Sequence, residues 1–571
     1  MTTKIDTAIP IIDIFAGPGG LAEGFSAANE AINFSVKLSI EKDEIAHKTL
    51  ELRSFLRSFG YGSFPSEYYE YIKGSGPTRK ELFDRYPDNA KRAKNEAWQV
   101  ELGSKSSEAV HTRIKQALDG SKYWVLLGGP PCQAYSLVGR ARMTGLGTGG
   151  RSLAGKEQKA LREEKLDAFN NDHRHSLYKE YLKIVAVHKP TIFVMENVKG
   201  ILSSKHGEDF IFEKILADLR DPWAAIAGDE DLKDDATLRD FRPRKMPKYK
   251  LFSFVTGTEP GKDGKLDSRG FIIRSENHGI PQRRHRVIIL GILDEYEVRP
   301  KALKREGEQV TVKDAISSLP KMRSGLSKAE DTSGFWESAI VRGFPASVLE
   351  RMDKEILPVI KQALKALGNA GSRGGQYVAG VKAEGKSEFD KWISDPMLKG
   401  AIQHETRGHM DKDLWRYLYA ASYGQAKGYS PTIEDFPDRF LPNHKNVRKN
   451  GEKDAGEEIH FKDRFKVQVA NEPATTITSH ISKDGHYYIH YDPAQCRSLT
   501  VREAARLQTF PDNYFFEGNR TQQYHQVGNA VPPLLARKLA HVVSDALTQC
   551  LRADRLPDAD KASKRQEKRR A

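Results

Sequence analysis

Short apolar runs recur along the first half of the chain, each closed by turn residues and followed by a stretch of helical periodicity. The run IPIIDIF (Ile9 to Phe15) is too short for a stable helix and ends in AGPGG. It predicts a buried strand, a glycine turn and then the helix LAEGFSAANE. NFSVKLSI predicts a second strand ending at Glu41, with a helix from Asp43. YWVLL (Tyr123 to Leu127) and TIFVMENV, whose acidic tip is Glu196, read as further buried strands, and RVIILGI (Arg286 to Ile292) closes the series. SLYKEYLKIVAVHKP reads as an amphipathic helix stopped by Pro190. Strands alternating with helices predict an α/β fold with a doubly wound, largely parallel sheet.

Two stretches break the pattern. Residues 60–94 are polar, aromatic and irregular, as an insertion would be. From Pro300 to Ala474 charges multiply and periodic runs are few; helical patterns return in LTVREAARLQTFP and QVGNAVPPLLARKLAHVVSDAL. No internal repeat is visible.

Composition narrows the setting. Apolar residues make up 38% of the 571 positions and charged residues 29%, which fits a globular protein rather than a disordered one. No apolar run approaches the roughly 20 residues that cross a bilayer, and the N-terminus lacks the layout of a signal peptide, so a cytoplasmic protein is expected. The three cysteines, Cys132, Cys496 and Cys550, are too few and too scattered for a disulfide framework or a zinc site. A net charge of +14 favours a polyanionic partner, with nucleic acid the usual one. The tail KASKRQEKRR supplies part of the excess, but PQRRHR and FRPRKMPK lie inside the chain.

The candidate chemistry sits at strand tips. In a parallel sheet the carboxyl ends of the strands share one edge, where ligands bind. Gly17, Cys132 and Glu196 would all lie there. Glycines at 17, 19 and 20 let a ligand press against backbone, and Glu41 follows Gly17 by 24 residues (41 − 17), near where a ribose-binding carboxylate belongs. Cys132 stands on the corner GGPPC. It is either a small buried residue or a reactive thiol, whose thiolate would be the stronger nucleophile. A carboxylic acid held nearby, such as Glu196, can donate to a ring nitrogen, and Arg284 and Arg286 can orient an electron-rich substrate or bind phosphate.

In their order along the chain, DIFAGPGG, GGPPCQAYS, FVMENV, IPQRRHR, RSLTVREAARLQTFPD and QVGNAVPP resemble the blocks of the DNA (cytosine-5)-methyltransferases, of the prokaryotic, restriction-modification type. The resemblance implies a class I S-adenosylmethionine-dependent methyltransferase: a Rossmann-like sheet of seven strands with a smaller target-recognition domain. It implies a catalytic domain over 1–300 completed by 520–550, target recognition and a hinge over 301–519, and a basic, disordered tail over 551–571. By the same resemblance Cys132 is the nucleophile, with Glu196, Arg284 and Arg286 beside it. Phe15, Gly17, Gly19, Gly20, Glu41, Leu177 and Asn529 match cofactor positions. The aspartate usual for the adenine amino group is missing, and Glu101 in WQVELGS is its best replacement. Gln133 and Thr476 would touch DNA, and no metal is implied.

The Pro-Pro corner would stiffen a nucleophile, and a stacked cytosine would have to swing out to reach it. The glycine-rich stretch LVGRARMTGLGTGGRSLAGK after Cys132 would be a mobile lid. The expected partner is duplex DNA, with a functionally paired restriction endonuclease that need not bind stably, and the expected state is a monomer. Two rivals stay open: a cytosine-5 methyltransferase acting on RNA, and a DNA-binding regulator without activity.

Overall fold

The computed structural model of the chain describes residues 8–28, 31–60, 62–103, 107–131, 173–203, 205–206, 209–228, 236–259, 268–327, 330–381, 387–442 and 463–555. Cys132, Gln133, the glycine-rich stretch after them and residues 556–571 of the basic tail lie outside the described residues, whereas residues 551–555, expected in that tail, continue the helix Pro533–Arg555.

Alternation of strand and helix produces the expected sheet. Its parallel half is β1 (Ile9–Ile14), β2 (Phe34–Glu41), β3 (Ala97–Gln99), β4 (Val125–Gly128) and β5 (Ile192–Val198). β6 (Lys205–His206) and β7 (Asp209–Phe210) form a separate hairpin. β8 (Tyr249–Ser253), β9 (Ile272–Arg274) and β11 (His285–Leu293) complete the sheet, while β10 (Gln282–Arg283) pairs with Ala474–Thr475. The order is β3-β2-β1-β4-β5-β11-β8, with β9 beside β11. Seven strands thus lie on the expected path, and the eighth, β9, is a three-residue addition. β11 runs antiparallel to β5, β8 and β9. β1 and β4 are buried at every position, as continuous apolar strands covered on both faces must be.

α1 (Gly20–Ser26) follows β1, and α2 (Glu44–Arg57) follows β2, its N-terminus capped by Asp43, which accepts from the Ile45 and Ala46 amides at 3.0 and 2.8 Å. The helix His173–His188 corrects the amphipathic reading: Tyr181 to Val187 are buried without a break. Its inner charges answer each other, Lys183 Nζ lying 2.9 Å from Glu180 Oε1.

The described residues of 60–94 are largely helical rather than irregular. They form three short helices, α3 (Ser66–Lys73), α4 (Arg79–Arg85) and α5 (Pro87–Glu96). A Thr78–Glu81 capping box starts α4, and Pro87 opens α5, two signals placed too close together for periodicity to show. Tyr68, Ile72, Leu82 and Phe83 pack on Leu52 and Phe55 of α2 and meet Leu398 and Ile402 from far along the chain.

A second hydrophobic core draws on residues from Leu326 to Cys496, including Trp336, Ile360, Tyr417 and Phe440. Phe389, Trp392 and Ile393, and the stretch from Leu499 to Phe516, pack instead into the core of the sheet. Among the described residues no helix is long and apolar enough to cross a membrane. Cys496 and Cys550 are buried, and burial pushes the Cys550 thiol up to about 12, so both are packing residues.

Candidate active site

The glycine turn after β1 is held from the tip of β2. The Gly17 amide donates to Glu41 Oε2 at 2.8 Å, and the Asp43 amide donates to Glu41 Oε1 at 2.8 Å. Burial raises the Glu41 carboxyl above its usual range, and these two amides pull it back. Phe15 adopts φ 56°, a left-handed backbone that a bulky residue enters only under constraint.

The glycines differ in what they face. Gly17 has φ +56°, and a Cβ there would meet nothing within 4 Å, so its backbone borders open space. A Cβ on Gly19 would press Leu50 Cδ1 at 2.9 Å, and one on Gly20 would meet the Val531 carbonyl oxygen at 2.2 Å. Gly20 therefore serves the close approach of α1 to the segment that carries Asn529. Glu101, just beyond β3, reaches the same edge and pairs with Lys42 at 3.1 Å. Leu177 is buried in the core of the sheet.

The tip of β4 leads through Gly128 and Gly129 to Pro130, Pro131 and Cys132. Glu196, at the end of β5, lies against it: a Cβ on Gly129 would sit 3.0 Å from Glu196 Oε2. Glycine is thus the residue that leaves room for the carboxylate. Asn197 holds the corner from below, its Nδ2 donating to the Pro130 carbonyl at 3.3 Å while its Oδ1 accepts from the Val198 amide at 2.8 Å. Sequence reasoning passed over Asn197; an amide beside a strand-tip carboxylate was the signal.

Register brings the next partner. β11 pairs Arg286 with Val198 and Ile288 with Glu196. Arg286 and Glu196 therefore share a face, one step diagonal, and Arg286 Nε lies 2.9 Å from Glu196 Oε1. Arg284 behaves differently. It is buried, and its guanidinium donates to the Ile477 carbonyl at 2.7 Å and the Gly528 carbonyl at 3.2 Å. Burial, then the nearby Arg286 cation, lower its pKa well below the usual arginine value, and Glu196 opposes them. Arg284 ties the sheet edge to the segments carrying Thr476 and Asn529.

Those segments are fixed in detail. The Thr476 hydroxyl donates to the Arg283 carbonyl at 2.7 Å, and Gln282 Oε1 accepts from the Ile477 amide at 3.0 Å. Tyr488 joins its hydroxyl to the Thr478 hydroxyl at 3.0 Å and to the Thr476 carbonyl at 3.2 Å. Asn529 is exposed, with its Nδ2 2.9 Å from His525 Nε2. The edge thus gathers Phe15, Gly17, Glu41 and Glu101 on one side of the β4 tip, and Glu196, Arg284, Arg286 and Thr476 on the other. Among the described residues no group of three or more His, Cys, Asp or Glu side chains is placed to hold a metal ion.

The sequence pattern of the family described as C-5 cytosine-specific DNA methylase matches residues 98–221 and 270–545. The chain is 29% identical over 557 residues to the type II methyltransferase M.Bpa9945I of Bacillus paralicheniformis, covering 94% of this chain and 99% of that one. It is 26% identical over 437 residues to the type II methyltransferase M.AgeI of Thalassovita gelatinovora, covering 74% and 83%. It is 24% identical over 453 residues to the DNA (cytosine-5-)-methyltransferase M.ApeKI of Aeropyrum pernix, covering 75% and 83%. The matched residues include the β4 and β5 tips, the Gln282–Arg286 stretch and the segment through Asn529, and the chain belongs to the C-5 cytosine-specific DNA methylase family.

Proposed function

We propose that this methylase works through a covalent bond from Cys132 to a cytosine swung out of duplex DNA, with S-adenosylmethionine as methyl donor. The observation that carries the reading is the Glu196–Arg286 pair, lodged against Gly129 three residues before Cys132.

The residues fit the donor. The open space beside Gly17 and the Glu41 carboxylate suit its methionine part and its ribose hydroxyls, Phe15 its adenine, and Glu101 the adenine amino group. Leu177 and Asn529 are the remaining proposed contacts. When bound, S-adenosylmethionine supplies an electrophilic methyl group.

The chain's own residues prepare its acceptor. Cys132 Sγ bonds to carbon 6 of cytosine, and the electron pair of the 5,6 double bond moves onto carbon 5 and toward ring nitrogen 3. Glu196 faces that nitrogen, where a proton held between the two relieves the developing negative charge. Arg286 keeps the Glu196 carboxylate aimed, and Asn197 keeps the corner under Cys132 still. Once carbon 5 carries its methyl group, loss of the carbon 5 proton and departure of the thiolate restore the ring.

Target choice belongs to the 301–519 region built on the second core, with Gln133 and Thr476 as contacts near the flipped base. The biological role is protection of host DNA from a paired restriction endonuclease, carried out by a cytoplasmic monomer. To test the reading, purified protein is incubated with plasmid duplex or with transfer RNA, and the digested nucleosides are weighed by mass spectrometry. The reading expects 5-methyldeoxycytidine from the plasmid alone. Methylated RNA with unmodified DNA, or no methylation of either, would overturn it.

A further inference from the structure

We propose that Arg407 and Arg520 form a site for a phosphodiester of the DNA strand, at the end of the helix Arg520–Asn529 remote from Asn529. The proposal rests on the reading of duplex DNA as substrate.

The helix places the site. Thr521, His525 and Asn529 are exposed at four-residue spacing, so they share one face that ends beside the Arg284-bound Gly528 carbonyl. Arg520 begins the helix, about 13 Å from Asn529 at roughly 1.5 Å per residue. That span corresponds to about four base steps of 3.4 Å. A strand whose target base reaches the sheet edge would run along this face.

The two guanidinium groups are fixed in place yet short of anions. Arg407 stacks on the Tyr524 ring at 4.1 Å from its centroid, and one N–H goes to the Ile481 carbonyl. Tyr524 is itself buried and anchored, its hydroxyl donating to the Leu499 carbonyl at 2.6 Å. Arg520 Nη1 donates to the Thr406 carbonyl at 2.9 Å. Arg407 makes no ion pair among the described residues. Among the described residues Arg520 has only Glu405, at 3.7 Å, which also faces Arg373 at 3.9 Å. Arg373 in turn pairs with Asp331, which also holds Arg323.

Each arginine is held by one backbone carbonyl, and Arg407 also by the Tyr524 hydroxyl, so both keep planar donors to spare. Such donors suit the paired oxygens of a phosphate, and a stacked guanidinium loses little freedom on binding. Ile481, which Arg407 grips, lies five residues beyond Thr476, whose hydroxyl is tied to Arg283 at the sheet edge. The arginine pair and the active site therefore stand at two ends of one rigid segment as well as of one helix.

The experiment measures binding of a fluorescein-labelled duplex of mixed sequence between about 50 and 200 mM salt, where each phosphate contact adds about 0.9 to the slope of log affinity against log salt. Arg520→Gln and Arg407→Gln should each flatten the slope by about that amount, and Arg520→Lys should restore most of it. Lys80→Gln, at an exposed position on α4, should leave the slope of the wild type. S-adenosylhomocysteine affinity and melting temperature should hold for Arg520→Gln. A wild-type slope in both glutamine variants, whether or not affinity falls, would overturn the site. If Arg407→Gln does not fold, Arg520→Gln decides alone. Methylation of duplex by the wild type, run alongside, separates failure of the site from failure of the DNA reading.

Discussion

Glu196 and Arg286 meet at the sheet edge from strands 90 positions apart (286 − 196), brought together by antiparallel register. In the second core Asp413 and Arg416 meet because they lie three residues apart on one helix, at 2.8 Å. Both pairs are largely enclosed, but their surroundings differ. Arg416 spends its other donors on the Phe440 and Leu441 carbonyls, so the pair is consumed in holding its own loop. The Glu196 pair stands against a glycine, beside a strand tip whose next residues are Pro-Pro-Cys. Enclosed charge alone therefore says little about chemistry; what tells is whether the pair faces its own backbone or a place where a reacting atom can come.

Cutting what joins the two regions gives the largest expected effect. Arg497 and Glu503 pair at 2.6 Å, both almost wholly buried. Arg497 also reaches the Met322 carbonyl near the second core, while Glu503 caps the helix Val501–Leu507 in the first. Burial alone would raise the Glu503 carboxyl, but Arg497 and His490 hold it well below the usual range. Its stabilisation is present above the ordinary carboxylate range and is lost only as pH falls through that low folded value. Glu503→Gln leaves Arg497 buried without a counter-charge, and should cost about 3–5 kcal/mol in denaturant unfolding. A loss below about 1 kcal/mol would rank the pair with exposed surface ion pairs.

Next is the edge itself. Glu196→Gln should slow single-turnover methyl transfer by about 100- to 1,000-fold, the usual cost of losing a group aimed at developing charge. S-adenosylhomocysteine binding should change little, because Glu41 and the glycine turn lie elsewhere. An unchanged rate would remove Glu196 from the chemistry.

The same contrast explains what could be read from sequence. Strands β1, β2, β4, β5 and β11 announced themselves as short apolar runs, and the edge residues followed from strand tips and from family blocks. β3, β8 and β9 carry three to five residues each and mix polar with apolar positions, so no apolar run marks them. The helices of 60–94 hid because their caps crowd together and their aromatic faces bury against Leu398 and Ile402, over 300 positions away. Arg284 looked like a substrate contact; its carbonyl partners, Ile477 and Gly528, come from distant segments that no spacing rule connects. The buried arginines Arg497, Arg502 and Arg506 likewise count toward the net charge while serving packing.

Smaller effects sharpen the contrast. Asp13 lies fully buried in β1, and burial pushes its carboxyl up to about 8, with Arg57 pulling the other way. As pH rises above about 4 the unfolded chain ionises this group first, so the folded state loses ground until about 8. Asp13→Asn should therefore stabilise the protein more at the alkaline end than near pH 5. The difference in denaturant unfolding should reach a few kcal/mol, since each pH unit in that window costs the native carboxyl about 1.4 kcal/mol. Equal gains at both ends would contradict the assignment. Glu472, paired with Arg283 where both side chains are nearly half exposed, should matter least. Glu472→Ala should alter stability by less than about 1 kcal/mol in thermal unfolding, and a larger loss would make this rim contact part of the joint between the regions.

The most direct measurement uses duplex carrying 5-fluorocytosine at the methylated position, mapped beforehand by sequencing the methylated plasmid. Fluorine does not leave as a proton does, so after methyl transfer the bond from Cys132 to carbon 6 should persist. Wild-type protein with S-adenosylmethionine should run as a protein–DNA adduct on a denaturing gel, and a digested peptide containing Cys132 should carry the added mass. Cys132→Ser should give no adduct. An equal adduct from Cys132→Ser, or an adduct mapped to Cys496 or Cys550, would contradict the nucleophile and with it the role given to the sheet edge.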